Sequence, residues 1–337
     1  AYGYALLLNN SQNSTFYANR AAQGKVTFDD SIGNNITLNN LTGSLGSIQM
    51  FSNSHDSIIS MNNISVQIYV SASNNNNITG NLLIRFGFIN LLGTNNTLVS
   101  DNRGLFTQDL PSPVAVAVIT SNYTTVINNT ALDMYHSGSI TGDGILVDTG
   151  SRHVTIINNT INNSVCWSFI GTPTPAGISV ANAYNVTLTG NHIFCTALEI
   201  GTTSQTSGAV DLVTLKNNYI NDSRGLLLTL VSNVTSEGNI LTNNTEGIHL
   251  YGVTDASFKN ETINRTRTGN GFSIEVSGST ESFSVNLTNI TFTNINTSKM
   301  YLNVIASSNR TRIFDTYIQN YSFGNPGSLL SFSKTGL

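Results

Sequence analysis

The sequence is poor in charged residues, proline and cysteine. Only 14 Lys+Arg and 18 Asp+Glu occur among 337 residues, and a charged fraction of 9% compares with about 25% in an ordinary soluble domain. The net charge of −4, without a basic cluster, argues against a nucleic-acid partner. No apolar run approaches the roughly 18 residues of a membrane span. These absences exclude the usual profile of a cytosolic enzyme.

Asparagine, threonine and serine are the abundant residues, with 48, 41 and 39 copies. Hydrophobic residues make up 39%, which is enough for a core and argues against intrinsic disorder. So few titrating groups predict little change of stability with pH. This composition favours an acidic or otherwise harsh exterior, such as the surface of an acidophilic archaeon or of its virus.

Acceptor triplets for N-glycosylation, Asn-x-Ser/Thr, occur 22 times, against about 11 expected by chance at this composition. Chance alone is the alternative explanation, but an excess of roughly twofold indicates a secreted chain, where surface sites become modified. We therefore expect an extracellular location at a cell surface, on an appendage or on a virion. The predicted acceptors are Asn35, Asn40, Asn63, Asn77, Asn122, Asn128, Asn158, Asn185, Asn221, Asn233, Asn243, Asn264, Asn296 and Asn309.

The two cysteines, Cys166 and Cys195, lie 29 residues apart, close to one repeat length as derived below. In an extracellular chain this spacing allows a disulfide between neighbouring coils. Two buried free thiols are the alternative. No Cys-x-x-Cys or His-x-His cluster occurs, so we expect neither a metal site nor another cofactor.

A repeat organises the middle of the chain. Its shared frame is a β-branched strand, a polar pair that ends in Asn, and a second short apolar strand, as in VTIINNTINNS (154–164) and VTLKNNYINDS (213–223). Asn suits such a turn because it tolerates left-handed backbone angles, and its amide can hydrogen-bond the same Asn one coil away. The predicted stacking residues are Asn129, Asn159, Asn191, Asn218, Asn239, Asn260 and Asn289. If Asn260 and Asn289 are buried in this stack, the acceptor triplets that they begin must be unmodified.

A third strand follows a small residue in most repeats, for example Gly225-Leu-Leu-Leu and Gly247-Ile-His-Leu. Three short strands in each 21–32 residues, without helical periodicity, predict an all-β chain that forms a parallel β-helix of about 10–13 coils. We expect a cap or subunit-contact segment over residues 1–30, less regular coils over 31–120 and regular coils over 121–337.

These repeats resemble the single-stranded, right-handed parallel β-helix of the pectate-lyase-like superfamily, most securely over residues 121–320. The resemblance implies the fold alone, because the superfamily includes lyases, hydrolases, viral tailspikes, adhesins and surface proteins without catalytic activity.

Aligning the third strands predicts one polar patch on an outward face. Glu275 should lie beside Tyr251 and diagonal to His249, with Glu199 two coils from His249. Carboxylates accept hydrogen bonds from hydroxyl groups and an aromatic ring offers a stacking face for a sugar. Glu199, His249, Tyr251 and Glu275 are therefore the predicted glycan-binding residues, against the alternative of scattered polar side chains on a solvated sheet.

Catalysis has weak support. Glu199 and Glu275 are expected roughly 14 Å apart, whereas glycosidases place their carboxyl groups about 5–9.5 Å apart. The stretch Thr141-Gly142-Asp143-Gly144-Ile145 resembles the first Asp motif of polygalacturonase-type hydrolases. The paired Asp, Gly-His-Gly and Arg-x-Lys of those enzymes are missing, so Asp143 is interpreted as a turn residue. The weak catalytic candidates are Glu199, Glu275, Asp143 and Asp148.

The sequence thus favours a non-catalytic, heavily N-glycosylated surface or appendage protein, either a viral spike or a subunit of a cell-surface filament or coat. Its expected partners are sister subunits, because open coils expose strand edges, and cell-surface glycans. The alternative is a polysaccharide-cleaving, tailspike-like glycoside hydrolase.

Overall fold

The computed structural model describes residues 4–21, 24–43, 46–84, 87–105, 114–132, 143–162, 176–201, 210–275, 283–295, 302–305, 312–314, 317–319 and 330–333. The chain divides into two compact units, unit 1 (Ala1–Val165) and unit 2 (Cys166–Leu337). All regular secondary structure in the described ranges is β-strand. No helix in these ranges is long and apolar enough to cross a membrane.

Unit 1 consists of short strands that follow one another around the coils. In chain order they are β1 (Tyr4–Asn9), β2 (Thr15–Tyr17), β3 (Arg20–Ala21), β4 (Lys25–Asp29), β5 (Asn35–Thr37), β6 (Asn40–Leu41), β7 (Ser47–Phe51), β8 (Ile58–Ser60), β9 (Asn63–Ile64), β10 (Gln67–Ser71), β11 (Asn77–Thr79), β12 (Leu82–Ile84), β13 (Phe88–Leu92), β14 (Leu98–Ser100), β15 (Arg103–Leu105), β16 (Val116–Ile119), β17 (Thr125–Ile127), β18 (Thr130–Leu132), β19 (Ile145–Asp148), β20 (Ser151–Ile157) and β21 (Thr160–Asn162).

Unit 2 continues the same order of strand types. Its strands are β22 (Ala176–Val180), β23 (Ala183–Thr189), β24 (His192–Phe194), β25 (Ala197–Gly201), β26 (Val210–Lys216), β27 (Tyr219–Asn221), β28 (Leu226–Thr229), β29 (Val231–Glu237), β30 (Ile240–Asn244), β31 (Ile248–Tyr251), β32 (Thr254–Lys259), β33 (Thr262–Thr266), β34 (Phe272–Glu275), β35 (Phe283–Thr288), β36 (Thr291–Thr293), β37 (Leu302–Ile305), β38 (Arg312–Phe314), β39 (Tyr317–Gln319) and β40 (Leu330–Ser333).

Within each unit every third strand joins the same sheet. In unit 1 the first sheet has the order β1-β4-β7-β10-β13-β16-β19, the second β2-β5-β8-β11-β14-β17-β20 and the third β3-β6-β9-β12-β15-β18-β21. In unit 2 the first sheet is β22-β25-β28-β31-β34-β37-β40, the second β23-β26-β29-β32-β35-β38 and the third β24-β27-β30-β33-β36-β39. Neighbouring strands pair in parallel. The predicted right-handed parallel β-helix is confirmed, and the described strands form thirteen complete coils.

The core is built from the inward residues of each strand. The central residue of the three-residue strands β5, β8 and β11 points inward, and Ile36, Ile59 and Ile78 at these positions stack on one another without accessible surface. β-Branched residues suit this arrangement because their stiff side chains pack well on a pleated surface. The repeated apolar position therefore becomes a continuous column inside the coil.

Buried asparagines join successive coils at the turn between the second and third sheets. In unit 1 the ladder starts at the exposed Asn19 and continues through the buried residues Asn39, Asn62, Asn81, Asn102, Asn129 and Asn159. The Oδ1 atom of each later Asn accepts from both the backbone N–H and the Nδ2 of the Asn before it, at 2.9–3.1 Å. This pairing satisfies turn groups that would otherwise be buried without partners.

The ladder of unit 2 ends differently. Asn191, Asn218 and Asn239 follow the same pattern, but Glu261 then occupies the asparagine position. Its carboxylate accepts from the Asn239 backbone N–H at 2.9 Å and from Ser236 Oγ at 2.8 Å. Burial raises the pKa of Glu261 to about 7, against the opposing effect of these hydrogen bonds.

The predicted placement of Asn260 and Asn289 in the ladder is wrong. Both are exposed, with φ of 56° and 52°, and the next residues, Glu261 and Ile290, are the buried ones. The position before each ladder residue is left-handed and also favours Asn or Gly, so one residue type fits two successive positions. The predicted conflict between burial and modification disappears at both triplets.

Of the two cysteines in the predicted disulfide, only Cys195 lies among the described residues. Cys195 is disulfide-bonded, and the described ranges contain no free cysteine, which argues against the alternative of free thiols. Cys166 lies outside the described residues. The division into compact units falls at residues 165/166, and the proposed boundaries at residues 30 and 120 stay predictions.

Candidate functional site

The first sheet of unit 2 brings the four predicted glycan-binding residues onto one face. Across β25, β28, β31 and β34 the outward positions are Glu199, Leu227, His249 and Ser273. The next outward column is Gly201, Thr229, Tyr251 and Glu275. Their relative positions are those expected from the repeat alignment, because the parallel register keeps equivalent residues side by side. We call the surface formed by Ser179, Glu199, Arg224, Leu227, His249 and Tyr251, together with the carboxylates Glu246 and Glu275 that contact His249, the groove.

Glu199 forms the first charged pair of the groove. Its Oε1 lies 3.8 Å from Arg224 Nη1, which belongs to the turn before β28. Burial raises the pKa of the Glu199 carboxyl, and the positive charge of Arg224 partly opposes this rise. The outward neighbours of Glu199 on the two flanking strands, Ser179 and Leu227, are uncharged.

His249 lies between two carboxylates. Its Nδ1 is 3.3 Å from Glu246 Oε2, and its Nε2 is 3.4 Å from Glu275 Oε2. The second contact is best described as an ion pair, since Nε2 is shielded from water and lacks the alignment of a hydrogen bond. Burial lowers the pKa of His249, but the two carboxylates outweigh it and raise the pKa to about 9. The imidazolium form therefore prevails at neutral pH.

Tyr251 and Gly201 shape the surface beside these charges. The Tyr251 ring stands edge-on to His249, with centroids 6.3 Å apart and an interplanar angle of 79°. Gly201 has φ +88°, and a Cβ there would lie 1.7 Å from the Thr229 carbonyl oxygen. Only glycine fits at this position, which therefore adds no side chain to the groove. The open groove has a volume of about 400 Å³.

The carboxylates of the groove are not arranged as a hydrolytic pair. Glu199 and Glu275 are three strands apart, which corresponds to roughly 14 Å between backbones. Each is already engaged with a cation, Glu199 with Arg224 and Glu275 with His249. The arrangement offers hydroxyl acceptors, cationic donors and an aromatic face, which are the groups that hold a sugar.

Asp143 and Asp148, the other weak catalytic candidates, belong to the first sheet of unit 1. Asp143 precedes β19 and Asp148 ends it, so roughly 16 Å of strand separates them. The Asp148 carboxylate accepts from the Thr149 backbone N–H at 2.6 Å, a local turn contact. The described residues contain no group of three or more His, Cys, Asp or Glu arranged to hold a metal ion.

Two groove residues escaped the sequence analysis. Arg224 and Glu246 each lie one position before the glycine that precedes a first-sheet strand. The predicted columns began at that glycine and so left them out. Extending each repeat by one residue would have placed Arg224 and Glu246 at the same turn position of neighbouring coils, although their contacts with Glu199 and His249 depend on side-chain conformation.

The predicted glycosylation acceptors fall into three groups. Asn128, Asn158 and Asn233 are exposed, with left-handed backbones. The half-buried acceptors are Asn35, Asn40, Asn63, Asn77, Asn122, Asn185, Asn221, Asn243 and Asn264. Asn296 and Asn309 lie outside the described residues. The first group has the most accessible side chains and is therefore the best placed for modification.

This architecture is a right-handed parallel β-helix. Among solved structures, the chain is similar to PfbA, a surface adhesin of Streptococcus pneumoniae, with 12% identity and a TM-score of 0.53 over 92% of this chain and 81% of that one. It is similar to a family 28 exopolygalacturonase of Yersinia enterocolitica, with 11% identity and a TM-score of 0.54 over 93% and 72% of the two chains. It also resembles the endo-xylogalacturonan hydrolase of Aspergillus tubingensis, with 11% identity and a TM-score of 0.51 over 98% and 91%.

At these identities the likeness concerns the fold alone. No sequence family matches the chain, and no curated protein matches it. Binders and polysaccharide-degrading enzymes both occur among the similar structures. The function must therefore be argued from the side chains of this chain.

Proposed function

We propose that the protein is an extracellular, N-glycosylated surface or appendage protein that attaches to glycans through the groove of unit 2. One observation carries this proposal: the groove's carboxylates are held by Arg224 and His249, whereas a hydrolase needs two carboxyl groups facing one bond. A carboxylate that is already paired still accepts hydrogen bonds from sugar hydroxyls. The same groups are poorly placed to share the proton transfers of glycoside cleavage.

The extracellular location has independent support. Cys195 is disulfide-bonded, and structural disulfides persist mainly in oxidising compartments. The exposed acceptors Asn128, Asn158 and Asn233 lie where an oligosaccharide can extend from the turn. Viral spike and cell-surface filament or coat remain the two settings proposed for it, with sister subunits as further partners.

A polysaccharide-cleaving enzyme is the second candidate, and one feature of Glu199 favours it. A buried carboxyl with a raised pKa is what a general acid requires. A second carboxylate would have to approach Glu199 across the sugar, and its flanking outward residues are Ser179 and Leu227. The binding function therefore fits the groove better.

The experiment measures binding and cleavage together. The purified protein is incubated with a panel of cell-surface polysaccharides, and both retention on the glycan and new reducing ends are recorded. We expect retention without new ends, and weaker retention for Glu199→Gln and His249→Ala. Asp255→Asn is the matched control, because Asp255 is an exposed carboxylate of unit 2 on the second sheet.

New reducing ends that disappear in Glu199→Gln would replace the binding proposal with the hydrolase. Absence of retention for the folded wild-type protein across the panel would overturn glycan attachment. Retention that survives both groove variants would show that the groove is not the attachment site.

A further inference from the structure

A second surface, on the first sheet of unit 1, has different chemistry from the groove. Phe51 on β7, Tyr69 on β10 and Phe88 on β13 lie on one diagonal of the outward face, because Tyr69 pairs with Gln49 and Asn90 while Phe88 pairs with Gln67. The Phe51 and Tyr69 rings have centroids 5.5 Å apart and an interplanar angle of 52°. We call these three rings the aromatic diagonal.

The aromatic diagonal is bordered by side-chain amides. Gln49 and Asn90 flank Tyr69 on the two neighbouring strands, and Gln67 lies beside Phe88. All three amides are half-buried, as are the three rings. Asn90 Oδ1 is shielded by protein and has no hydrogen-bond partner. The ligand-facing hydrogen-bonding groups of this surface are therefore the half-buried amides of Gln49 and Gln67 and the Nδ2 group of Asn90.

Charge is missing from the three strands that carry these residues. β7 reads SIQMF, β10 reads QIYVS and β13 reads FINLL, without an Asp, Glu, Lys or Arg. An anionic polysaccharide would find no cation on these strands to pair with its carboxylates. A basic ligand would likewise find no carboxylate on them. One carboxylate lies at the edge, since Asp29 on β4 pairs with Phe51, and it would also disfavour an anionic ligand. On the three strands themselves the available chemistry is ring stacking and neutral hydrogen bonding.

We propose that the aromatic diagonal of unit 1 binds an uncharged polysaccharide chain. Phe51, Tyr69 and Phe88 offer successive stacking faces, and Gln49, Gln67 and Asn90 exchange hydrogen bonds with the hydroxyls at the ring edges. Each diagonal step spans about 7–8 Å between backbones, so the rings cover the length of a short oligosaccharide. This site is separate from the groove and does not depend on the function proposed for it.

The test uses the full chain and a panel of immobilised neutral oligosaccharides, namely hexamers of β-linked glucose, mannose and N-acetylglucosamine, with polygalacturonate as the anionic probe. We expect retention of at least one neutral hexamer, with little effect of added salt, because no charge pairing is involved. Loss of one stacking ring in Tyr69→Ala or Phe88→Ala should weaken the affinity for that hexamer by about tenfold. Tyr69→Phe should keep most of the affinity.

Tyr17→Ala is the matched control, since Tyr17 is 59% exposed on the second sheet of the same unit. Tyr69→Leu removes the π face but keeps a large apolar side chain, so it separates the loss of stacking from the loss of packing that Tyr69→Ala also causes. Thermal melting checks the folding of each variant. Three results would overturn the proposal: no neutral hexamer retained by the wild type, affinity unchanged in Tyr69→Leu and Phe88→Ala, or tighter, salt-sensitive binding of polygalacturonate. Binding lost only in Glu199→Gln would assign it to the groove instead.

Discussion

Units 1 and 2 share one coil design but place ionisable groups very differently. All six glutamates of the chain, Glu199, Glu237, Glu246, Glu261, Glu275 and Glu281, belong to unit 2. On the outward face of the first sheet, unit 1 presents the aromatic diagonal with its amides, while unit 2 presents the paired charges of the groove. The β-helix accommodates both kinds of outward surface because its stability depends on the inward residue columns and on the turns.

The turns show the same contrast. In unit 1 the buried ladder consists of carboxamides from Asn39 to Asn159, each a donor and an acceptor. In unit 2 Glu261 ends the series and, when ionised, can only accept. A neutral ladder is insensitive to pH, whereas a buried carboxyl is not. The difference predicts that pH acts on the ladder of unit 2 and leaves the ladder of unit 1 unchanged.

The largest expected effect comes from breaking the ladder of unit 1. Asn81→Ala removes the acceptor for two donors of Asn62 and the donor to Asn102. Each buried group left unpaired costs about 1–3 kcal/mol, so we expect a loss of roughly 3 kcal/mol or more in the free energy of unfolding. Urea denaturation measures the loss, and hydrogen exchange should localise it to unit 1.

Asn75→Gly serves as the control for this prediction. Asn75 is exposed and left-handed, with φ 55°, and glycine keeps that conformation, so the change should stay within about 0.5 kcal/mol. Equal effects of the two substitutions would contradict a special role for the buried ladder.

The second prediction concerns Glu261. Its pKa is raised from 4.5 to about 7, so the folded state binds the proton more tightly than the unfolded chain. The stabilisation is complete below pH 4.5 and is lost as the pH rises through 7, by roughly 3 kcal/mol for a shift of this size. Glu261→Gln should abolish this part of the pH dependence, as measured by unfolding at pH 4.5 and 8.

Glu237→Gln is the comparison variant, because Glu237 ends β29 in the preceding coil and is not a ladder residue. Its charge is the smallest of the causes that act on the pKa of Glu261, so this variant should move the pH step only slightly. A pH profile of unfolding that is unchanged in Glu261→Gln would contradict the assignment. Together with His249, Glu261 also revises the expectation of a chain nearly indifferent to pH, and both groups favour a more acidic medium.

The third prediction addresses His249 in the groove. Its pKa of about 9, raised from 6.5, means that its stabilisation is present below pH 6.5 and is lost as the pH rises through 9. Because the site is open to solvent, we expect roughly 1–2 kcal/mol. His249→Gln should flatten the stability profile between pH 6.5 and 9 without affecting the step assigned to Glu261. If the stability profile showed one pH-dependent step that disappeared in both His249→Gln and Glu261→Gln, the assignment of two separately titrating sites would be contradicted.

The smallest expected effect lies at a turn of unit 1. Leu38 has φ 59° and is 45% exposed, at the position where Asn128 and Asn158 stand in later coils. A left-handed conformation costs a non-glycine residue about 1–2 kcal/mol. Leu38→Gly should therefore stabilise the protein by roughly 0.5–1 kcal/mol in thermal unfolding, after the entropy of glycine is counted. Leu38→Ala, which stays strained, should bring no gain.

The repeats of the sequence were sufficient for the fold. Apolar positions recur at fixed offsets, and asparagine at the turn marks each coil, so three parallel sheets with their register follow from the sequence alone. The outward columns of Glu199, His249, Tyr251 and Glu275 were likewise predictable, because parallel pairing keeps equivalent residues adjacent.

Other features were decided by the tertiary structure. Asn260 and Asn289 fit two successive turn positions by type, and only packing shows that Glu261 and Ile290 are the buried ones. The pairing of Arg224 with Glu199 depends on side chains that reach between coils. The sequence by itself determined which residues share a face, since that follows from the period of the repeat. The ionisation of Glu261 and His249 arose only from burial and from neighbours brought close by the fold, and a linear pattern contains neither.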